Sequence, residues 1–317
     1  HSSLWRFFAI GIYVYFTLEE QVMFEQSRTM YSSNIAFTGL PPNHGLRAKE
    51  VDQYTRIMGD IQALFRSRLQ IQILLALADG TKTLSQLRDI TGSSSQALIP
   101  KIRKLESSNF MAISDYEYHL TPVGKILTKK IKDIILFKSV TKKHNNFWDQ
   151  HYSEAIPEDF FVNLGELYNS DIILDTNVDI FNVYFNFLRM IQDSKEIYIL
   201  SPISSPAHTD AVLKRIREGV YVETLIGKDL IGQILQSPHF DKIHELASHT
   251  TSKIFILDEM PRLGLTVTDK QISLGLYKSD GVTYDTTTDL FSADPAAVAW
   301  GQKLYQYYKS NAVEFTL

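Results

Sequence analysis

Ser94, Ser95, Gln96, Lys101, Arg103 and Lys104 fall within eleven consecutive positions of this 317-residue chain. Together they offer two chemistries. Short hydroxyls and a carboxamide can donate to and accept from nucleobase edges, while Lys and Arg neutralise phosphate charge. Arg88 and Lys82 precede the group, and Tyr116, Tyr118 and His119 follow it, adding groups able to touch a sugar–phosphate backbone or a minor groove. Other chemistries are excluded at once. The chain has no cysteine, so disulfides, thiol catalysis and cysteine–zinc sites are ruled out. His144, Asp149 and His151 lie close in sequence but lack a helical His-x-x-x-His pair, so no metal and no cofactor is expected.

These polar residues need a scaffold, and the apolar pattern supplies one. Ile61, Leu64, Phe65, Ile71, Leu74 and Leu75 recur at helical spacing from Asp60, with Asp79-Gly80 as a stop. Thr83 has the character of an N-cap for a short helix that carries Leu84, Leu87 and Ile90 and closes at Gly92. Ser93-Ser94-Ser95 then caps a helix whose Leu98, Ile99, Ile102 and Leu105 point inward, with a kink expected at Pro100. Phe110–Ile113 and Tyr116–Leu120 read as a hairpin around Ser114-Asp115, and Thr121-Pro122 starts another helix. Helix, helix, helix, hairpin, helix is the order of a winged helix-turn-helix, which lays its second short helix in the major groove of duplex DNA.

Charge is distributed to match. From Gly59 to Val140 there are 12 Lys and Arg against 7 Asp and Glu, whereas from Thr141 to Leu317 there are 15 against 24. A basic segment inside an acidic chain fits a polyanion partner for one part only. Thr121 to Lys143 continues helically, with Ile126, Leu127, Ile131, Ile134, Ile135 and Phe137 apolar. Beyond it strands and helices alternate. Strands are expected at 196–201, 220–226, 253–257, 263–267 and 272–277, with helices at 209–218, 230–247 and 295–308. That alternation predicts an α/β domain with partly parallel pairing. Ser201 and Ser204, at the C-terminal end of a strand, together with Trp148, Tyr284 and Trp300, are the candidates for binding a small ligand.

Residues 1–57 form an extension without a derived role. The apolar run Phe7–Leu18 is shorter than the roughly 20 residues of a spanning helix, and Glu19-Glu20 follows it in place of a cleavage site. No stable membrane partner is therefore expected, and the cytoplasm is the expected compartment.

Phe65-Arg66-Ser67-Arg68, Leu74–Gly80, Ala97–Glu106 with its Pro100, and Leu120–Lys125 resemble archaeal winged-helix transcription regulators of the methanogen type. These pair an ArsR-like reader with a C-terminal effector domain and include the filament-formation and methanogenesis regulators. The resemblance extends through Phe147–His151, Ser201-Pro202-Ile203, Thr266–Asp269, Gly281–Asp285 and Ala299–Tyr305. It implies a small effector that alters DNA affinity. The strand–helix–strand around Arg215–Val220 is also similar to half of a phospholipase-D-like domain. Those enzymes use a His with a Lys two residues on and an Asp beyond. His208 is followed by Thr209 and Asp210, and His239 by Phe240 and Asp241, so no catalytic residues are expected.

The expected organisation is α+β and α/β. It comprises the extension 1–57, a winged helix-turn-helix at 58–120, a connecting helix at 121–145 and an α/β effector-sensing domain at 146–317. The expected function is a sequence-specific DNA-binding transcription regulator, a homodimer because one recognition helix reads few base pairs. The alternative is a phosphodiesterase or nuclease that uses the C-terminal fold.

Overall fold

The computed structural model describes residues 48–235 and 240–315; the apolar run Phe7–Leu18 and His239 lie outside them. Contacts partition the chain between Ile134 and Ile135, inside a helix, into two units.

The first unit contains α1 (Ala48–Phe65), α2 (Arg68–Leu77), α3 (Leu84–Thr91), α4 (Ser95–Ser107), the hairpin β1 (Met111–Ser114) and β2 (Glu117–Leu120), and the start of α5 (Pro122–Lys143). The helix expected from Asp60 to Asp79 is two helices. The chain breaks at Ser67, whose hydroxyl accepts from the Gln70 amide and caps α2. α1 also begins at Ala48, ten residues before the expected domain start. Thr83 and Gln86 form a reciprocal capping box on α3, and Gly92 ends that helix in the left-handed region at φ 65°. Ser94 caps α4, which runs on through Pro100. Leu74, Leu87, Leu98 and Leu105 from four turns of α2, α3 and α4 meet as a fully buried core, closed by Met111 and Leu120 of the hairpin.

The hairpin turn is Asp115-Tyr116, one residue later than expected. Both residues hold positive φ, 50° and 64°, which matches the right-handed twist of a two-residue turn. Lys82 joins this small sheet by exchanging backbone hydrogen bonds with Tyr118, which anchors the hairpin to the segment before α3. Gly124 lets α5 pack on the backbone of Phe110: a Cβ there would lie 1.7 Å from the Phe110 carbonyl oxygen.

The second unit continues α5 and adds α6 (Asn145–Gln150), α7 (Glu158–Phe161), β3 (Asp171–Leu174), α8 (Asn182–Gln192), β4 (Glu196–Ser201), α9 (Pro206–Arg217) and β5 (Tyr221–Gly227). α10 (Lys228–Leu235), α11 (Phe240–Ser248), β6 (Ser252–Leu257), β7 (Leu263–Thr268), β8 (Ile272–Tyr277), β9 (Tyr284–Ser292), α12 (Pro295–Lys309) and β10 (Val313–Glu314) complete it. Among the described residues one eight-stranded sheet runs β10-β6-β5-β4-β7-β8-β9-β3. Only β4, β5 and β6 pair in parallel, linked by the helical crossovers that parallel strands require; the other pairs are antiparallel. The molecule is thus a mixed α and β protein dominated by one large sheet.

The sheet separates two apolar layers. On one face Leu225, Leu265, Leu274 and Leu290 pack against Trp300, Leu304 and Tyr305 of α12. On the other, Ile197, Val222 and Ile254 pack under Leu213 and Ile216 of α9 and Ile191 of α8. The strand β9 and helix α8 were not anticipated: Thr286-Thr287-Thr288 hides strand periodicity, and Asn182 opens α8 without a side-chain cap.

Candidate functional site

In the first unit the capping geometry leaves a polar face outside. Ser94, Gln96, Arg103 and Lys104 are exposed along α4, Ser95 and Lys101 are partly so, and Arg88 is exposed in the last turn of α3. The Ser94 hydroxyl accepts from the Ala97 amide, so its own proton remains available to an acceptor. Tyr116 stands at the hairpin tip with 90% of its surface exposed, and Tyr118 and His119 are half-buried behind it. Lys82 precedes α3, with Nζ 3.4 Å from the Gly80 carbonyl oxygen.

In the second unit a cavity of about 380 Å³ opens between the sheet and helices α8 and α9. Ser201, Ser204 and Tyr284, three of the expected ligand residues, line it. Trp148 and Trp300 do not. Trp300 is 1% exposed in the α12 layer and donates its indole N–H to the Phe160 carbonyl at 3.1 Å. Trp148 packs into the same layer and donates to Val140 at 3.4 Å. Trp300 is wholly spent on packing, Trp148 is partly buried, and both indole N–H groups are spent on backbone, away from the cavity.

Sequence reasoning missed much of the lining. Asp289, Ser273, Thr266 and His208 face the cavity beside Ser201 and Tyr284. The Ser273 hydroxyl donates to Asp289 Oδ2 at 2.7 Å. Burial pushes the Asp289 carboxyl up to about 6 despite that bond. Burial, and then the charge of Asp289, holds the Tyr284 phenol well above its usual range. Desolvation keeps His208 below the ordinary imidazole value; its ring lies 4.8 Å from Tyr184 and 4.7 Å from Phe187, and its Nδ1 is buried without a partner. A signal was present: Gly264, Thr266 and Thr268, then Ser273 and Gly275, place small or polar residues at every second position of otherwise apolar strands.

The three residues of the suspected His–Asp cluster separate. His144 Nε2 lies 2.9 Å from Ser170 Oγ, His151 Nε2 lies 3.1 Å from Asp285, and Asp149 accepts from Asn145. Among the described residues no group of His, Asp and Glu is placed to hold a metal, and no helix is long and apolar enough to cross a membrane.

Comparison with known proteins places this geometry. Residues 58–138 match the N-terminal domain of the methanogenesis regulatory protein FilR1, and residues 180–311 match its middle domain. The methanogenesis regulatory protein FilR1 of Methanothrix harundinacea (strain 6Ac) is 23% identical over 257 residues, which is 80% of this chain and 57% of that protein. The chain therefore spans little more than half the length of this curated relative. Among solved structures, TrmBL2, an archaeal chromatin protein, aligns over 82% of this chain and all of its own, at 17% identity and a TM-score of 0.36. A phospholipase D family member, Nuc from Salmonella typhimurium, aligns over 47% of this chain and 98% of its own, at 11% identity and a TM-score of 0.37. Scores this low establish no shared fold. The two domain matches stand in the FilR1 order and together take in well over half of the residues, so the chain belongs to the FilR1 family of methanogenesis regulatory proteins.

Proposed function

We propose that the chain is a DNA-binding transcription regulator whose first unit is a winged helix-turn-helix and whose second unit senses a small ligand. The observation that carries this reading is the exposed face of α4, where hydroxyls, Gln96 and two adjacent cations project from a helix locked by Leu98, Ile102 and Leu105. Such a helix seated in a major groove brings Ser95 and Gln96 to base edges and Arg103 and Lys104 to phosphates, with Arg88 on the flanking backbone. Tyr116 at the hairpin tip reaches the neighbouring phosphates or minor groove, supported by Tyr118 and His119. Membership of a family of regulatory proteins supports the same reading. The cavity over β4, with Ser201, Ser204 and Tyr284 on its walls, is the seat of the effector.

The regulator works in the cytoplasm as a homodimer, since two recognition helices are needed to define a site of useful length, and it has no enzymatic activity. The phosphodiesterase alternative fails on chemistry: His208, the cavity histidine, has no Lys two residues on.

Electrophoretic mobility with DNA from upstream of its own gene tests the reading. Binding is expected to weaken steeply as salt rises, because each phosphate contact releases counterions. Salt-independent binding, or none to any upstream fragment, refutes it. Gln96→Ala is expected to relax preference at one base position by about 1–3 kcal/mol.

A further inference from the structure

Strand register lays two rows of residues across the cavity face of the sheet. One runs Ile226, Ser201, Gly264, Gly275, Asp289 through β5, β4, β7, β8 and β9. The other runs Ile254, Thr224, Ile199, Thr266, Ser273. The first row starts apolar at Ile226 and ends on Asp289, while the second mixes Ile254, Thr224 and Ile199 before Thr266 and Ser273 and meets Phe291 on β9. At about 4.8 Å per strand, Ile226 and Asp289 are separated by roughly 19 Å. Val212 and Phe187 add apolar wall from the helices above.

The glycine pair shapes the polar end. A Cβ on Gly264 would lie 2.3 Å, and one on Gly275 2.2 Å, from the Tyr284 hydroxyl. Glycine at both positions lets that ring lie on the sheet and brings its hydroxyl beside Asp289.

Two carboxylates of this sheet, Glu223 and Asp289, then differ in a telling way. Glu223, on the opposite face, is matched by Lys309, whose Nζ lies 2.7 and 2.6 Å from its two oxygens. Asp289 accepts one hydroxyl, from Ser273; among the described residues no Lys or Arg acts on it, and the imidazole that does, His151, already pairs with Asp285 at 3.1 Å. A carboxylate enclosed in a cavity without a countercharge of its own is costly. Placed at the polar end of an otherwise apolar cavity, it is matched by a cation brought in by a ligand.

We propose that the cavity binds an amphipathic amine, with its ammonium on Asp289 and the Tyr284 hydroxyl and its apolar tail along Ile226, Val212 and Phe187. This rests on the ligand-sensing part of the proposed function and names the class of effector. Ligands whose polar end is a carboxylate are rejected by Asp289.

Calorimetric titration of the whole chain with octylamine, octanol and octanoate, at mildly alkaline pH, tests this with one tail and three heads. Octylamine is expected to bind about tenfold more tightly than octanol, the scale of one desolvated ion pair, with octanoate weakest. Asp289→Asn is expected to bring amine and alcohol within about twofold of each other. Octanoate binding as well as octylamine overturns the proposal, as does an undiminished amine preference in Asp289→Asn, or no binding of any of the three. Should Asp289→Asn not fold, Val212→Trp replaces it: octylamine affinity unaffected by an indole in the tail channel overturns the placement, and a loss of about tenfold or more supports it. Mobility shift without amine is run in parallel. DNA binding with no amine binding removes this inference and leaves the regulator, whereas amine binding with no DNA binding leaves this inference and removes the regulator.

Discussion

The two units use polar side chains in opposite directions. In the first, a small helical core fixes a rigid scaffold, and the functional candidates, Arg88, Gln96, Arg103, Lys104 and Tyr116, all face solvent. In the second, the functional candidates, Ser201, Ser273, Tyr284 and Asp289, face inward onto a cavity enclosed by helices and sheet. An exposed cation is hydrated and costs the fold little, so the first unit can carry many at no loss of stability. An enclosed carboxylate is costly, and Asp289 is the one carboxylate among the residues that line the cavity. That asymmetry is what the proposed function, DNA on the exposed face and a small molecule in the cavity, calls for.

The comparison can be tested at its strongest point first. Leu98→Ala empties a fully buried position under α4 and is expected to cost about 2–5 kcal/mol. Urea unfolding should register that loss while octylamine titration stays intact; loss of both breaks the picture of two separately stabilised units. Next, Gly264→Ala drives a methyl against the Tyr284 hydroxyl and is expected to cost about 1–3 kcal/mol. An unchanged Tm would show that Tyr284 is not held over the glycine pair.

Removing surface charge should act on binding alone. The double change Arg103→Gln with Lys104→Gln is expected to lower DNA affinity about 10–100-fold on every sequence and to reduce the salt slope by about two. Thermal stability should be unaltered; a fall in Tm would mean that these cations serve the fold.

The smallest effect concerns pH. The folded Asp289 carboxyl titrates at about 6, above its unfolded value near 3.9. Protonated Asp289 therefore favours the folded state, and that contribution is lost as pH rises from about 4 through 6. Asp289→Asn should be the more stable form above pH 6 by about 1–2 kcal/mol, with the advantage gone below pH 4. Since part of the Asp289 surface faces the cavity, the effect stays below the full cost of a dry carboxylate. A variant equally stable at all pH values would mean that a cation already neutralises Asp289.

Much of the first unit was legible because its determinants are local. Thr83 with Gln86, Ser94 and Gly92 sit within one turn of the helix ends they define, and Leu84, Leu87, Leu98 and Leu105 report helical faces over a dozen residues. Even there, locality limited the reading. The break at Ser67 looked like a continuous periodic stretch, because Leu64 and Ile71 keep helical phase across it. The hairpin turn moved one residue because Tyr116, unusually for so large a side chain, accepts positive φ at an exposed tip.

In the second unit, the β4–β5–β6 segments were visible as short β-branched runs, and Ser201 and Tyr284 were placed among the ligand candidates from strand ends and aromatic character. Trp148 and Trp300 were placed there on the same character, and the fold used them for core.

By itself, then, the sequence determined the order of elements from α3 to α5, the caps of α3 and α4, and the polar face of α4, since each depends on residues a few positions apart. Only the tertiary structure decided which polar residues share the cavity. Ser201, Gly264, Gly275 and Asp289 are scattered over almost ninety positions and meet because four strands pair in one register. A shift of one residue in any of those pairings would turn its side chains to the opposite face and leave Asp289 against the α12 layer.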